Sequence, residues 1–361
     1  MSEPAPQSML LYATSPQEIE THIKTIKSKA CGIDGVLPDL VKLCADVISR
    51  PLSHCINSSF SSGIFPKKLK IAKVLPIHKK GNKRDVANKR PISLLNLFCK
   101  IYEKTLFNRI YKYVEAYNIL TSCQHGFRAN HSTESAITQF IENIYKCMER
   151  RHHYIGVCID FTKAFDTLNH KILLNKLDNI GIRGKALTLM SNYLDESFQI
   201  TFYNNEYSDP IMLPCGTPQG SQLGPLLFAI FINDLVNCSK ILKFTLYADD
   251  SNAGCSGPNI GTLIQTVNKE LESVYHWIVS NELSANSTKL LHLLFTHDTT
   301  IDEYELRLGR SIIPRQSFAK LLGLIWMTNL NGICNHMLLQ TNFPSLVEFC
   351  IFVVANYQRI V

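Results

Sequence analysis

The stretch Tyr154-Ile-Gly-Val-Cys-Ile-Asp160 decides how the rest of the sequence is interpreted. A short and mostly apolar run of this kind is typical of a buried β-strand. Beyond the aspartate, apolar side chains recur at helical spacing from Leu168 to Ile180, and Gly181 follows, a residue type that commonly ends a helix. We therefore predict a strand that ends at Asp160 and a helix that follows it.

A second predicted strand also ends in carboxylates. Residues 242–247 read Leu-Lys-Phe-Thr-Leu-Tyr, and Ala248, Asp249 and Asp250 follow at the tip of a predicted hairpin. Clustered carboxylates repel one another unless a cation neutralises them, and their oxygens are ligands for Mg²⁺. Together with Asp160 they would form a site for phosphoryl transfer by two metal ions. The Asp-Asp pair alone is weak evidence, because turns favour Asp for local reasons.

Hydrophobic periodicity predicts the other elements. The sequence favours helices over residues 18–60, 94–114, 132–150, 223–235 and 264–278, a strand over 71–77, and a hairpin of 198–203 with 210–213 around Asn204-Asn205. The sequence contains no internal repeat and no long low-complexity linker.

Positive charge is concentrated in one stretch of the chain. The net charge is +7, but residues 67–112 contain 14 Lys or Arg and only two acidic residues, so that the remainder is slightly acidic. One basic segment suits a nucleic-acid phosphate backbone. A solvated surface or a nuclear-import patch would explain the same charge.

Composition excludes several protein classes. Apolar residues make up 45% of the chain and charged residues 19%, which excludes a mostly disordered protein. The 12 cysteines include no C-x-x-C pair, and no His–Cys cluster has zinc spacing. We interpret them as reduced thiols of an intracellular protein, in the nucleus or cytoplasm and not secreted. The longest apolar stretches fall short of the ~20 residues of a membrane helix, so no membrane contact is expected.

The motifs, taken in order, resemble the reverse transcriptases of non-LTR retrotransposons, the LINE and jockey-like elements. The resemblance covers about residues 18–326 and is specific because the motifs occur in the family's order. They are Gly32-Ile-Asp-Gly35, Gly63-Ile-Phe-Pro66, Lys89-Arg-Pro-Ile-Ser-Leu94, Gln124-His-Gly-Phe-Arg128 with Ser132-Thr133, Asp160-Phe-Thr-Lys-Ala-Phe-Asp166, Gly216-Thr-Pro-Gln-Gly-Ser221 with Leu223-Gly-Pro-Leu-Leu-Phe228, Tyr247-Ala-Asp-Asp250, Leu283 with Asn286 and Lys289, and Leu322-Gly323.

The resemblance implies an α+β fold of the right-hand polymerase type, with fingers, palm and thumb and with an antiparallel palm sheet backed by helices. We expect a disordered leader over residues 1–17, an N-terminal helical extension over 18–57, and fingers and palm over 58–326. Residues 327–361 would form a shortened or degenerate thumb. The family continues after Leu322-Gly323 with an Asp and then a Trp, whereas this chain has Met327 and Gly332 at the alignable positions.

The resemblance also implies the chemistry. Asp160 and Asp249 match the carboxylates that hold two Mg²⁺ ions, with Mn²⁺ as a substitute, and Asp250 matches a third, supporting acidic position. The implied reaction is attack of a primer 3′-hydroxyl on the α-phosphate of a dNTP. Lys289 matches a lysine proposed to protonate the leaving pyrophosphate, although a solvated surface lysine would fit the sequence equally well.

Five further residues match substrate-binding positions. Lys80 and Arg90 match positions that approach the triphosphate, and the bidentate guanidinium suits phosphate oxygens better; contact with the template backbone is an equal alternative for Lys80. Phe165 matches an aromatic gate against the ribose 2′-hydroxyl, with core packing as its alternative. Gln219 can donate towards the primer end or the sugar, and Gly220 allows close approach of the backbone.

The implied partners are an RNA template, a DNA primer and dNTPs. Such elements often carry an endonuclease and a Cys/His knuckle, which this sequence lacks, so a separate endonuclease activity would be needed for insertion. Two alternatives stay open. A damaged thumb would suit a catalytically impaired relic that binds nucleic acid, and an RNA-dependent RNA polymerase shares the palm chemistry, although Phe165 and the Tyr247–Asp250 motif argue against it.

Overall fold

The computed structural model contains both helices and sheets, in agreement with the predicted α+β class. It describes residues 4–28, 30–79, 81–298, 301–322 and 324–327. The helices of this part are α1 (Pro16–Lys24), α2 (Pro38–Leu43), α3 (Ala45–Ser62), α4 (Leu97–Ala116), α5 (Thr133–Glu149), α6 (His170–Asn179), α7 (Lys185–Leu194), α8 (Gly224–Phe231) and α9 (Ile260–Ser280).

The strands are short and irregularly spaced along the chain. They are β1 (Ile71–His78), β2 (Lys89–Leu95), β3 (His153–Asp160), β4 (Phe198–Tyr203), β5 (Glu206–Tyr207), β6 (Ile211–Met212), β7 (Lys243–Tyr247), β8 (Asp250–Gly257), β9 (Leu291–Phe295), β10 (Leu306–Leu308), β11 (Ser311–Ile313), β12 (Phe318–Leu321) and β13 (Leu324–Met327).

The chain divides into two compact units. Unit 1 consists of Met1–Leu120 and Lys163–Phe231, and unit 2 consists of Thr121–Thr162 and Ile232–Val361. The predicted division into extension, fingers-palm and thumb stays a prediction, and residues 328–361 of the predicted thumb lie outside the described residues.

Unit 1 contains a five-stranded sheet. Its strands follow the order β2-β1-β4-β5, and β6 also pairs with β4. β1 is antiparallel to β2 but parallel to β4. The predicted hairpin around Asn204-Asn205 is present, but the strand that follows the turn is β5, while β6 pairs with the start of β4. The predicted helix at 94–114 begins only at Leu97, because Lys89–Leu95 pair with β1.

The N-terminal segment makes specific contacts within unit 1. The amides of Ala5 and Met9 donate to the carbonyls of Asn179 and Gly181, both at 2.8 Å. In α1, Glu18 forms a bidentate ion pair with Arg109 of α4, with both nitrogen–oxygen distances 2.7 Å. These contacts correct the expected disordered leader, because residues 5–17 contribute main-chain hydrogen bonds and the start of α1.

Unit 2 is built around an antiparallel sheet in the order β7-β8-β3-β9. Every residue of β3 except the last is buried, which explains its nearly unbroken apolar sequence. Two amphipathic helices, α5 and α9, pack their apolar faces against this sheet, as their periodicity predicted. Ser132 caps α5 by accepting from the amide of Ser135.

Within the described part of the chain, no helix is both long and apolar enough to span a membrane.

Candidate active site

The two predicted carboxylate strands are neighbours in the sheet of unit 2. β3 and β8 pair over eight residues, and the last pair places Asp160 opposite Asp250. β7 and β8 form a hairpin whose final pair is Tyr247 with Asp250, so that Ala248 and Asp249 form the two-residue turn. Asp160 and the distant neighbouring pair Asp249 and Asp250 are thus brought to one end of the sheet.

The turn that carries Asp249 is backed by a second segment. The amide of Leu246 donates to the carbonyl of Cys123, and the amide of His125 donates to the carbonyl of Leu246, both at 2.8 Å. A Cβ atom on Gly126 would lie 2.3 Å from the nitrogen of Ala248. Ala248 adopts φ +56°, which is uncommon for alanine. Close packing against Gly126 helps to hold the turn in this conformation. Sequence reasoning quoted the segment 124–128 only as a resemblance.

Of the three carboxylates, Asp160 is the one held by an ion pair and by side-chain and main-chain hydrogen bonds. Lys289 Nζ lies 2.7 Å from its Oδ1, and the amide Nδ2 of Asn286 donates to its Oδ2 at 3.2 Å. The main chain supports the same contact, because the amide of Asn286 donates to the carbonyl of Asp160 at 2.8 Å. Lys289, predicted as a pyrophosphate proton donor, is thus in contact with one of the three carboxylates. The supporting role of Asn286 was not predicted.

Asp250 experiences the repulsion that the sequence analysis anticipated. Burial, together with the charges of Asp249 and Asp160, raises the pKa of its carboxyl to about 6, and the ammonium of Lys289 opposes this rise. The three carboxylates are therefore close enough to interact. A divalent cation would relieve this repulsion.

The three carboxylates have the chemistry of a magnesium site, but they are not arranged to hold an ion as they stand. Carboxylate oxygens are the ligands that Mg²⁺ prefers. Among the described residues, however, no group of three or more His, Cys, Asp and Glu side chains is arranged so that it could hold a metal ion as it stands. Lys289 and Asn286 occupy both oxygens of Asp160. Metal binding would therefore require these side chains to rearrange.

The glycine-rich turn at 216–220 lies in unit 1, packed against the segment 165–168. The amide of Gly216 donates to the carbonyl of Leu168, and the amide of Thr217 donates to that of Phe165, both at 2.8 Å. A Cβ on Gly216 would lie 2.5 Å from the carbonyl oxygen of Asp166. With φ +79°, this position requires glycine.

Gln219 is oriented by a carboxylate that the sequence analysis did not assign. Its amide Nε2 donates to both side-chain oxygens of Asp166, at 2.9 and 3.0 Å. A bifurcated contact to a carboxylate fixes the direction in which the amide points. The signal available in the sequence was that Asp166 ends the motif that begins at Asp160.

The same turn contacts strand β2. The amide of Ser93 donates to the carbonyl of Gln219 at 2.8 Å, and a Cβ on Gly220 would lie 2.4 Å from the carbonyl oxygen of Ser93. β2 also carries Arg90, whose side chain is exposed. Lys80 lies outside the described residues.

Phe165 is half-buried, and its ring packs against Phe228 of α8, with centroids 4.9 Å apart. Both interpretations of Phe165 therefore stay open, since the ring packs on the core while part of it is exposed.

A buried glutamate is hydrogen-bonded to the main chain just after the glycine-rich turn. Glu103 of α4 is completely buried; its carboxylate accepts from the hydroxyl of Tyr193 at 2.6 Å and from the amide of Gln222 at 2.7 Å. Burial raises the pKa of Glu103, and these hydrogen bonds oppose the rise. No local pattern points to this residue, because its partners lie about 90 or more residues away.

Residues 77–325 match the family described as "Reverse transcriptase (RNA-dependent DNA polymerase)". The chain is 29% identical over 323 residues to the probable RNA-directed DNA polymerase from transposon BS of Drosophila melanogaster, covering 86% of this chain and 35% of that protein.

Two further relatives come from other mobile elements. The RNA-directed DNA polymerase from mobile element jockey of Drosophila melanogaster is 26% identical over 334 residues, which cover 90% of this chain and 36% of that protein. A Pol polyprotein from type-1 retrotransposable element R2 of Popillia japonica is 25% identical over 224 residues, covering 62% of this chain and 30% of that protein. The chain spans about a third of the length of the first two relatives. Because the family match covers most of its residues, this chain belongs to the reverse transcriptase family, in which it is similar to the enzymes of jockey-like, non-LTR elements.

Proposed function

We propose that this chain catalyses RNA-directed DNA synthesis for a non-LTR retrotransposon. In this reaction a primer 3′-hydroxyl attacks the α-phosphate of a dNTP opposite an RNA template, a new phosphodiester bond forms, and pyrophosphate leaves. The observation that carries the proposal is the pairing of Asp160 with Asp250 at the end of the β3–β8 ladder, with Asp249 in the adjoining turn.

Asp160, Asp249 and Asp250 are the residues that would hold the metal. Two bound Mg²⁺ ions, or Mn²⁺ in their place, would stabilise the attacking and leaving oxygens of the phosphoryl transfer. The mutual repulsion of the three carboxylates supports this assignment, since it raises the pKa of Asp250 in the absence of a cation. On metal binding, Lys289 would leave Asp160 and be available to protonate the leaving pyrophosphate.

Substrate recognition is assigned to residues of unit 1. The exposed guanidinium of Arg90 would bind triphosphate oxygens. Gln219, oriented by Asp166, would donate to the sugar or primer end, and the close approach of Gly220 to Ser93 supports its place in this turn. Phe165 would exclude a ribose 2′-hydroxyl and so select dNTPs.

The sheets suggest how the parts of a right-hand polymerase are distributed. We assign the sheet of unit 2 to the palm and the sheet of unit 1 to the fingers, and residues 327–361 to a shortened or degenerate thumb. The proposed partners are an RNA template, a DNA primer and dNTPs, together with an endonuclease activity for insertion. Localisation in the nucleus or cytoplasm stays a prediction from the cysteine pattern.

Primer extension tests the proposal. The purified chain is given a homopolymeric RNA template, a complementary DNA primer and dNTPs with Mg²⁺, and product lengths are followed. We expect incorporation by the wild type and its loss in Asp249→Asn, which keeps the side-chain shape but removes a charge. Asp302→Asn, an exposed aspartate elsewhere in unit 2, is the matched control and should extend the primer normally.

Each other outcome has a clear meaning. If folded wild-type protein incorporates nothing, the catalytic proposal is wrong; salt-sensitive binding of template and primer in that case would favour a nucleic-acid-binding relic. Preferential incorporation of ribonucleotides would favour an RNA polymerase instead.

A further inference from the structure

The helix α8 begins in the interior of unit 1. Its residues 226–231 are all buried, and so are Ser221 and Leu223 just before it. The first amides of a helix have no acceptor within the helix, and leaving a buried amide without an acceptor is costly. Side chains must therefore supply the acceptors at this end of α8.

Two buried side chains supply them. Oγ of Ser221 accepts from the amide of Leu223 at 3.1 Å and from the amide of Gly224 at 3.0 Å. The amide of Gln222 donates to Oε2 of Glu103 at 2.7 Å. A serine on the same segment and an acid from α4 thus bind three successive amides at the start of α8.

Tyr193 of α7 joins these two acceptors. Its hydroxyl donates to Oε1 of Glu103 at 2.6 Å and lies 3.1 Å from Oγ of Ser221. Since the Tyr193 hydroxyl gives its one proton to Glu103, its oxygen accepts from the hydroxyl of Ser221. Both oxygens of Glu103 therefore act as acceptors. We call Glu103, Tyr193 and Ser221 the α8 anchor.

The other end of α8 is also held by a charged side chain. Nζ of Lys176 donates to the carbonyl of Phe231 at 2.6 Å and lies 4.6 Å from the centroid of its ring. An acid at the start of a helix and a cation at its end both complement the helix dipole. The position of α8 within unit 1 is therefore fixed from both ends.

The helix held in this way carries the residue that packs against the proposed sugar gate. Phe228 lies one turn after the start of α8 and is completely buried, and its ring centroid lies 4.9 Å from that of the half-buried Phe165. Phe228 is thus on the inner side of Phe165. A ring excludes a substrate hydroxyl only if it cannot retreat, and Phe228 occupies the space into which Phe165 would retreat.

We propose that the α8 anchor determines sugar selectivity, because it fixes α8 and thereby holds Phe228 against Phe165. The inference rests on the proposed function, since it takes Phe165 as the gate against a ribose 2′-hydroxyl. Glu103 is completely buried and acts through α8 rather than by contact with a nucleotide. Glu103, Tyr193 and Ser221 are therefore positioning residues.

Glutamine is the sharpest replacement for Glu103. It has nearly the same shape but one acceptor oxygen, so its amide nitrogen must face the donor of either Tyr193 or Gln222. One hydrogen bond of the α8 anchor is lost in either orientation. Tyr193→Phe is the second variant: it removes the hydroxyl but keeps the ring that packs against Phe65, with centroids 5.1 Å apart.

The test measures kcat/KM for single-nucleotide extension with a dNTP and with the matching NTP. The ratio of the two values is the readout, because a smaller amount of folded protein lowers both values equally and leaves the ratio unchanged. We expect the preference for dNTPs to fall about tenfold in Glu103→Gln, since a misplacement of about 1 Å can change a rate by about 100-fold. Tyr193→Phe should lower it in the same direction, and it decides the question if Glu103→Gln does not fold.

Glu18→Gln is the matched control. This carboxylate also contacts α4, but it is bound by Arg109 and by the hydroxyl of Thr14. The variant should lower the urea midpoint and leave the dNTP preference unchanged. Phe228→Leu should lower the preference, and combining it with Glu103→Gln should add little, because both changes release the same ring.

The outcomes separate the two proposals. If folded wild-type protein extends with neither nucleotide, the proposed function is wrong and this inference falls with it. If the wild type extends with dNTPs and Phe165→Ala keeps the full dNTP preference, polymerase function stands and the inference is overturned. An unchanged preference in the folded anchor variants, or an equal fall in Glu18→Gln, would also overturn it.

Discussion

The ammonium of Lys289 lies 2.7 Å from Oδ1 of Asp160, at the end of the strand that carries the first of the three clustered carboxylates. A cation of the protein itself therefore occupies the carboxylate oxygen that a metal ion would need. The lysine is half-exposed whereas Asp160 is largely buried, so the lysine is the partner with room to move. Divalent metal and Lys289 are expected to compete for Asp160.

Replacing this lysine should strengthen metal binding. In Lys289→Met the competing charge is removed, and we expect Mn²⁺ to bind about two- to fivefold more tightly, a modest gain because exposed ion pairs contribute little. Electron paramagnetic resonance of unbound Mn²⁺ measures this directly and without turnover. Lys269→Met, an exposed lysine of α9, should bind Mn²⁺ as the wild type does. Unchanged or weaker binding by Lys289→Met would show that the ion pair does not compete with the metal.

Gly126 should be essential for the position of Asp249. A Cβ there would lie 2.3 Å from the backbone nitrogen of Ala248, so Gly126→Ala must displace the turn or its own segment. Misplacing a catalytic group by about 1 Å can cost about 100-fold in rate. We expect primer extension to fall at least tenfold, and the free energy of unfolding to fall by about 1–3 kcal/mol.

Gly261 offers the comparison for this substitution. It lies in the first turn of α9, where the one neighbouring heavy atom near a new Cβ is 3.4 Å away, so Gly261→Ala should leave extension unchanged and stability equal or higher. Primer extension rates and urea midpoints of the two variants are measured side by side. Full activity of Gly126→Ala would mean that the segment 124–128 does not position the turn.

Local patterns explain which parts of the fold were predictable. The buried strand β3, the capped helix α5 and the amphipathic helix α9 each carry their pattern within a few turns of chain. Strand β2 was not predicted; it contains Pro91, which is unfavourable in most strands, and its pairing with β1 is what makes it a strand. The parallel pairing of β1 with β4 joins distant segments, and no local pattern encodes it.

The candidate site, too, contains residues that a local sequence pattern predicts and residues that it does not. Asp160 and Asp249 could be predicted because acidic residues at the end of an apolar run are visible in the sequence, and the structure brings them to one end of the sheet. Asp166, Glu103 and Gly126 were not assigned. Each acts through long-range contacts, such as the one between Asp166 and Gln219, which are 53 residues apart, and such contacts exist only after folding.

The contact between Asp166 and Gln219 predicts coupled effects on dNTP use. Asp166→Asn should retain one acceptor oxygen but lose the charge that strengthens the bond, and Gln219→Ala removes the donor. Hydrogen bonds to charged groups contribute about 1.5–3 kcal/mol. We expect each single variant to raise the KM for dNTPs about tenfold and the double variant to raise it little further, because both remove one interaction.

A double-mutant cycle on KM for dNTPs tests this coupling. Asp178→Asn serves as the control, since Asp178 interacts with Arg183 at the end of α6 and not with the glycine-rich turn. Its effects should add to those of Gln219→Ala. Strict additivity between Asp166→Asn and Gln219→Ala would mean that Asp166 does not orient the glutamine.

Stability at acidic pH should depend on His292. This histidine of β9 is 1% exposed; Nδ1 is hydrogen-bonded to the carbonyl of Ile313, and Nε2 lies 3.0 Å from the hydroxyl of Tyr304. Burial lowers the pKa of His292 to about 4, with Arg315 acting in the same direction and the Ile313 carbonyl opposing. In the unfolded chain its pKa is about 6.5.

The sign of the effect follows from these two values. Between about pH 6.5 and 4 the unfolded chain binds a proton at His292 that the folded protein does not, so stability is fully present above this window and is lost as the pH falls through it. The difference corresponds to about 3 kcal/mol. We expect urea unfolding to show a smaller decline across this window in His292→Gln than in the wild type, whereas His276→Gln, an exposed histidine of α9, should decline as the wild type does. An identical decline in His292→Gln would exclude His292 as the group that titrates.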